Sequence, residues 1–192
     1  EAVDFGIARD DRTALRDKIV QGLEADLLVL SGGVSAGVLD LVPGVLAELG
    51  VREVFHKVSL KPGKPLWFGV WTSPTGIVKP VFGLPGNPVS TLVCFELFVR
   101  PALDHMAGDD PLSPPTAAVE LAESFTHRGD RPTYWPGAFE SSSPSRPCRV
   151  RPLRWKGSGD LRTLTVADCL ICFESGDRQY AAGEAVTVRH LH

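Results

Sequence analysis

Residues 26–40 read DLLVLSGGVSAGVLD, and the fold turns on how they are parsed. The run DLLVL is short, apolar and bounded by turn residues, the pattern of a strand covered on both faces as in a parallel sheet. Serine and glycine then interrupt it, and Asp40 stands where a helix LVPGVLAEL would be capped. Pro43 is tolerable in the first turn of that helix, and Gly50 lies just past its end. Strand, glycine-rich turn and helix in that order make one unit of a layered α/β fold.

The same alternation continues on both sides. Upstream, AVDFGI at 2–7 reads as a strand, and Leu15, Ile19, Val20 and Leu23 recur at helical spacing behind an Asp11 cap. Downstream, VREVFHKVSL and LWFGV read as strands on either side of the loop KPGKP. VFGL at 81–84 is another buried strand. PGNP follows it, and then the apolar helix VSTLVCFELFV, with Asn87 as cap and Pro88 at the first helical position. The prediction is an α/β domain with a largely parallel sheet over residues 1–107.

The composition changes at GDDPLSPP, which places a linker at 108–116. Beyond it no helix is evident. TAAVELAESF, RVRPLRW, DLRTLTV, CLICFES and EAVTVRHLH are strand candidates separated by Gly, Ser, Asp and Pro. Residues 117–192 are expected to form a small all-β, barrel-like domain, with ESSSPSRP at 140–147 as a hairpin tip.

Composition excludes several classes of function. The 192 residues are 43% hydrophobic and 22% charged, ordinary globular values that leave no room for a disordered tail, a collagen repeat or a coiled coil. No run approaches the roughly 18 apolar residues of a membrane span. A net charge of −3 gives no general pull on nucleic acid or acidic membranes, so any bound anion must be held by local donors. Four cysteines, at 94, 148, 169 and 172, are too unevenly placed for a disulfide framework, and no basic-then-apolar leader opens the chain. The expectation is a cytoplasmic protein whose Cys169 and Cys172 pack in the core. Because the chain opens on Glu1 and is strand-like within seven residues, its coding sequence is expected to begin further upstream.

Three loops then attract attention. In SGGVSAG, Gly32, Gly33, Ser35 and Gly37 suit a backbone that turns tightly and aims N–H groups at an anion, although a plain strand-to-helix turn needs the same glycines. The letters also satisfy G-x-S-x-G, the nucleophile elbow of serine hydrolases, with Ser35 as nucleophile. In the second loop, Lys57, Lys61 and Lys64 cluster around two stiffening prolines. Read as a strand, Lys57 and Lys61 share one face, spread over about 13 Å, while His56 falls on the other face. The third loop, GLPGNP, is a rigid corner in which Pro85 and Pro88 give shape and Gly86 and Asn87 offer polar contacts. All three follow strands whose carboxyl ends would gather at one sheet edge, where α/β proteins bind ligands. Asp10, Asp11 and Asp40 stand at junctions on that edge, either as helix caps or as Mg²⁺ ligands.

GGVSAGVLD, LKPGKP and VFGLPGNPVS followed by FELFVRPAL, in this order and spacing, resemble the molybdopterin molybdenumtransferase family, the MoeA and gephyrin E-domain proteins. RPLRWKGSGDLRTLTVADCLICFESG with AAGEAVTV is similar to the C-terminal β-domain of that family. The resemblance implies a partial three-layer molybdopterin-binding domain, lacking its first strand and helix, followed by the β-domain. It implies insertion of molybdate into adenylylated molybdopterin with release of AMP, assisted by Mg²⁺, in a homodimer. By motif position it marks Asp10 and Asp40 as metal- or substrate-directed. Lys57 and Lys61 would meet molybdate or phosphate, Pro85 and Pro88 belong to the site, and Ser158 is a contribution from the β-domain.

Two readings compete with catalysis by this family. One is a non-catalytic molybdopterin-binding or scaffolding module. The other is the serine hydrolase, which would need His127 or His190 as base and leaves KPGKP and GLPGNP without a purpose.

Overall fold

A computed structural model describes residues 1–8, 11–35, 40–109, 116–140 and 148–191. The chain packs as two compact units, Glu1–Val58 with Pro65–Gly86, and Ser59–Lys64 with Asn87–His192.

The first unit contains α1 (Arg12–Gly22), β1 (Leu28–Ser31), α2 (Leu41–Glu48), β2 (Arg52–His56), β3 (Trp67–Thr72) and β4 (Val78–Leu84). Its sheet has the order β1-β4-β3-β2. Ile19, Leu23, Leu28, Val45, Leu46, Trp67 and Val81 form the core between helices and sheet. The Asp11 carboxylate caps α1 by accepting from the Ala14 N–H at 2.8 Å, as the sequence predicts.

Two expectations are corrected here. The sheet is mixed, because only β1 and β4 pair in parallel, while β3 is antiparallel to both β4 and β2. The local reason is the turn Ser73–Ile77. The Ser73 N–H donates to the Ile77 carbonyl, and the Ser73 hydroxyl accepts from the Ile77 N–H, closing a hairpin. Residues 2–7 form no strand. The Asp4 carboxylate accepts from the Gly6 N–H at 2.7 Å and Gly6 sits at φ 68°, a local turn that competes with extension.

The second unit holds α3 (Pro88–Cys94), one π turn (Phe95–Val99) and α4 (Arg100–Met106) as a continuous helical segment. Pro101 has no N–H to donate back into the preceding turn, which favours the irregular turn there. Next come β5 (Thr116–Leu121), β6 (Phe125–His127), β7 (Thr133–Glu140), β8 (Arg149–Pro152), α5 (Leu161–Leu164), β9 (Cys169–Phe173), β10 (Arg178–Tyr180) and β11 (Ala185–His190). Five strands close a barrel in the order β11-β5-β8-β7-β9, and β10 pairs with β6. Leu121, Val150, Ile171, Phe173 and Val188 fill it, with Phe125 stacked on Phe173 at 4.5 Å between ring centres.

The expectation of no helix after the linker fails at α5. Asp160 stops the strand-like alternation of DLRTLTV by accepting from the Thr163 hydroxyl at 2.8 Å and the Thr163 N–H at 3.2 Å. Most of the linker and the hairpin tip (110–115 and 141–147) lie outside the described residues. Among the described residues, no helix is long and apolar enough to cross a membrane.

Candidate functional site

β1 and β4 run parallel, and β2 runs with β4 because both oppose β3. The carboxyl ends of β1, β2 and β4 therefore lie at one edge of the first unit, the arrangement that gathers loops around a ligand.

At this edge the turn Ser31–Ser35 is tied on several sides. The Gly32 N–H donates to the Leu84 carbonyl at 3.0 Å, and the Ser31 hydroxyl donates to the Pro85 carbonyl at 3.4 Å. A Cβ on Gly86 would lie 3.5 Å from the Gly32 Cα, so the backbones of the two loops touch. Gly32 and Gly33 take φ 88° and 66°, the left-handed region where glycine is unstrained. The Val34 side chain is buried, whereas Gly33 and Ser35 are exposed. The His56 Nε2 lies 2.9 Å from the Val34 carbonyl oxygen. A carbonyl only accepts, so this nitrogen carries the proton. The sequence reading set His56 apart on the opposite strand face, and the structure instead brings its side chain to this turn.

The lysines are arranged differently from the strand reading. β2 stops at His56, and Lys57 takes φ 74° while its N–H donates to the Leu66 carbonyl at 2.8 Å. No strand face runs on from Lys57 to Lys61. Lys57 is exposed in the first unit, and Lys61 and Lys64 are exposed in the second, separated by buried Pro62 and Gly63. Lys61 is stitched to β7 in register with Thr133 through bonds from its N–H to the Pro132 carbonyl and from the Tyr134 N–H to its own carbonyl. Arg131 reinforces this loop by donating to the Leu60 carbonyl at 3.2 Å. A lone arginine in the sequence gives no sign of that contact. A Cβ on Gly63 would fall 2.6 Å from the Cys94 Sγ, so glycine is required by packing as well as by its φ of 125°.

Asn87 stands at the N-cap of α3 with Pro88 in the first turn, as predicted. Its carbonyl accepts from the Thr91 N–H and hydroxyl, while its side chain makes no cap hydrogen bond. The Ser158 carbonyl accepts from the Val89 N–H at 3.1 Å, which sets the KGSGD turn against the first turn of α3 within the second unit. Asp40 occupies the N-cap position of α2 and is half-buried. Asp10 and Gly37 lie outside the described residues. Among the described residues no three His, Cys, Asp or Glu side chains stand together as a metal cluster.

The serine hydrolase reading gains no support. Both ring nitrogens of His127 are engaged inside the barrel unit, with the Gly176 carbonyl at 2.9 Å and the Thr133 hydroxyl at 2.8 Å, and His190 is an exposed residue beside Phe139. The C-x-x-C pair is not a redox site in form. Cys169 is fully buried and Cys172 half-buried, and burial pushes the Cys169 thiol up to about 12.

Comparison with known proteins gives one consistent result. Residues 1–105 match the family described as a probable molybdopterin binding domain, and residues 118–191 match the MoeA C-terminal region (domain IV). A molybdopterin molybdenumtransferase of Synechocystis is 35% identical over 179 residues, covering 93% of this chain and 42% of that protein. One from Nostoc is 32% identical over 202 residues, covering 100% of this chain and 44% of that protein. The crystal structure of the molybdopterin biosynthesis moea protein from Pyrococcus horikosii superposes with a TM-score of 0.76 at 30% identity, over 97% of this chain and 43% of that one. The chain thus spans less than half the length of these relatives.

Proposed function

Because the chain belongs to the MoeA family of molybdopterin-binding proteins, we propose that it acts in molybdenum cofactor biosynthesis, in the insertion of molybdate into adenylylated molybdopterin with release of AMP. The observation that carries this reading is the tied edge of the first unit, where the glycine turn, the Pro85–Gly86 corner and the end of β2 at Lys57 belong to one framework. With a net charge of −3, the protein must hold a phosphate or molybdate by such local donors.

The roles follow residue by residue. The Gly32 N–H is already given to Leu84, so the turn offers an anion the donors that follow, at Gly33 and Ser35, and Gly37 is assigned to the same role by motif position alone. Ser35 serves as a donor and not as a nucleophile. Lys57 supplies charge to an anion at this edge, and the rigid Pro62–Gly63 step presents Lys61 and Lys64 to phosphate or molybdate at low entropic loss. Pro85 and Gly86 shape the corner of the first unit, and Asn87, Pro88 and Ser158, which belong to the second unit, are assigned to substrate binding by motif position alone. Mg²⁺ keeps most of its water and takes one or two carboxylates with phosphate oxygens. Asp40 is the described carboxylate suited to that, with Asp10 beside it in the sequence argument. No described residues stand with Asp40 as a resident site, and none of the roles above depends on the ion.

We assign the molybdopterin-binding part to residues 1–107, a linker to 108–116 and the β-domain to 117–192, a division supported by the matches over 1–105 and 118–191. The protein is taken to be cytoplasmic and to work as a homodimer. Titration with adenylylated molybdopterin and molybdate tests the site. Lys57→Ala with Asp40→Ala is expected to abolish binding, and undiminished binding would refute the assignment of this edge. A second reading, binding of molybdopterin without catalysis, rests on the match of residues 1–105 to a family described by molybdopterin binding alone. Measuring AMP release on addition of molybdate separates the two.

A further inference from the structure

The turn Ser31–Ser35 is fastened to β4 by the Gly32 N–H on the Leu84 carbonyl and by Val34 packed over Gly83. Its tie to β2 runs through the His56 Nε2, which donates to the Val34 carbonyl at 2.9 Å. That same histidine is the last residue of β2 and the immediate neighbour of Lys57, whose backbone turns through φ 74° and is pinned by its own N–H on the Leu66 carbonyl. A lysine in the left-handed region persists only where its surroundings over-determine it. Here the residue before it is held by a side-chain bond and the residue itself by a backbone bond.

From this we infer that His56 is a positioning residue, which fixes the exposed donors of the glycine turn at a set distance from Lys57. The inference rests on the reading of this edge as the molybdopterin-binding site. The chemistry needed is one N–H at the end of a short planar side chain. Phenylalanine at this position keeps the ring and loses the donor, and glutamine loses the ring but keeps an N–H of similar reach.

The test therefore compares His56→Phe with His56→Gln in the whole chain, by two readouts. Amide hydrogen exchange of the Gly32 N–H, which donates to the Leu84 carbonyl, needs no ligand. In His56→Phe it is expected to quicken by about tenfold, the loss of one net hydrogen bond, while exchange in the barrel stays as in the wild type. In the second readout, binding of adenylylated molybdopterin is expected to weaken by about tenfold in His56→Phe and to return to within twofold in His56→Gln. Unchanged exchange and affinity in His56→Phe overturn the inference, as does a failure of His56→Gln to restore both. Should His56→Phe not fold, His56→Leu, which also lacks the donor, takes its place: accelerated exchange supports the tie and wild-type exchange overturns it. If the wild-type protein binds no adenylylated molybdopterin, the proposed function fails, and the exchange arm still decides the role of His56 in holding the turn.

Discussion

Val34 occupies the space that a side chain on Gly83 would need: a Cβ there would lie 2.6 Å from the Val34 Cγ1 and 3.2 Å from the Trp67 Cβ. β4 therefore carries glycine at the point where the turn after β1 folds over it. Gly83→Ala is expected to destabilise the protein by roughly 1–3 kcal/mol, the range for overpacking a filled core. Val34→Ala added to it removes the clashing methyl, so the double variant should be less destabilised than the sum of the two singles. Urea unfolding of the four proteins checks this, and strict additivity would show that the two sites do not press on each other.

The buried carboxylate of Glu96 accepts two bonds from Arg100, at 2.7 and 2.8 Å, and lies 3.9 Å from the Arg189 guanidinium. Arg100 is 46% exposed and can turn to water, whereas Arg189 is 5% exposed, and its Nη1 is buried without a hydrogen-bond partner among the described residues. Burial holds the Arg189 pKa below its usual range, with Glu96 opposing the shift. Glu96→Gln leaves that cation uncompensated and is expected to cost about 3–5 kcal/mol. Arg189→Met removes the buried charge and leaves Glu96 with Arg100, so it should stay within about 1 kcal/mol of the wild type. Equal losses in the two variants, read by denaturant unfolding, would refute this asymmetry.

Asp160 holds the turn before α5. Its hydrogen bond from the Thr163 hydroxyl, helped by the Lys156 N–H, lowers its pKa below the ordinary 3.8. An acid with a depressed folded pKa contributes stability that is present above its unfolded value and lost as pH falls through the folded one. The amide resonances of Lys156 and Thr163 should therefore titrate with a midpoint below 3.8, and Asp160→Asn should abolish that titration. A midpoint at or above 3.8 would contradict the hydrogen-bond pattern.

Thiol chemistry should separate the four cysteines. Cys148 is exposed, whereas burial pushes Cys94 and Cys169 up to about 12 and raises Cys172. In the native protein at pH 8, one thiol is expected to react promptly with an aromatic disulfide and the others only after denaturation. Prompt reaction of Cys94 or Cys169, located by mass spectrometry, would argue against their burial.

The glycine turns and the Asp11 cap are legible because their residue types have few alternatives, and the start of α3 is legible from Pro88, which suits a first helical turn. Strand direction is not, since an apolar run such as VFGL reads alike in parallel and antiparallel sheets. The hairpin signal Pro74-Thr75-Gly76 joins β3 to a β4 that begins at Val78, ahead of that run. β7 was hidden by Pro136 and Gly137 in mid-strand, yet Gly137 is there because a Cβ would fall 2.8 Å from the Ile171 Cγ1. His56 was misplaced for another reason. β2 ends at His56 and Lys57 turns away at φ 74°, so the alternation read from Phe55 through Lys61 does not assign faces there.

Lys57 is the position where backbone and side chain make opposite demands. A non-glycine residue at φ 74° is strained by about 1–2 kcal/mol, and glycine there would escape the strain while widening the unfolded ensemble by about 0.4–1 kcal/mol. Lys57→Ala keeps the strained backbone and removes only an exposed side chain, so its stability should match the wild type within about 0.5 kcal/mol. Lys57→Gly should be about 0.5–1 kcal/mol more stable than Lys57→Ala, the difference between the two backbone effects. Both should bind adenylylated molybdopterin more weakly than the wild type, because both lose the ammonium group proposed to meet the anion. A stabilised Lys57→Gly that binds like the wild type would mean that the lysine serves no anion. A stabilised variant that fails to bind would show why a residue unsuited to this backbone is kept: its charge is needed at that turn.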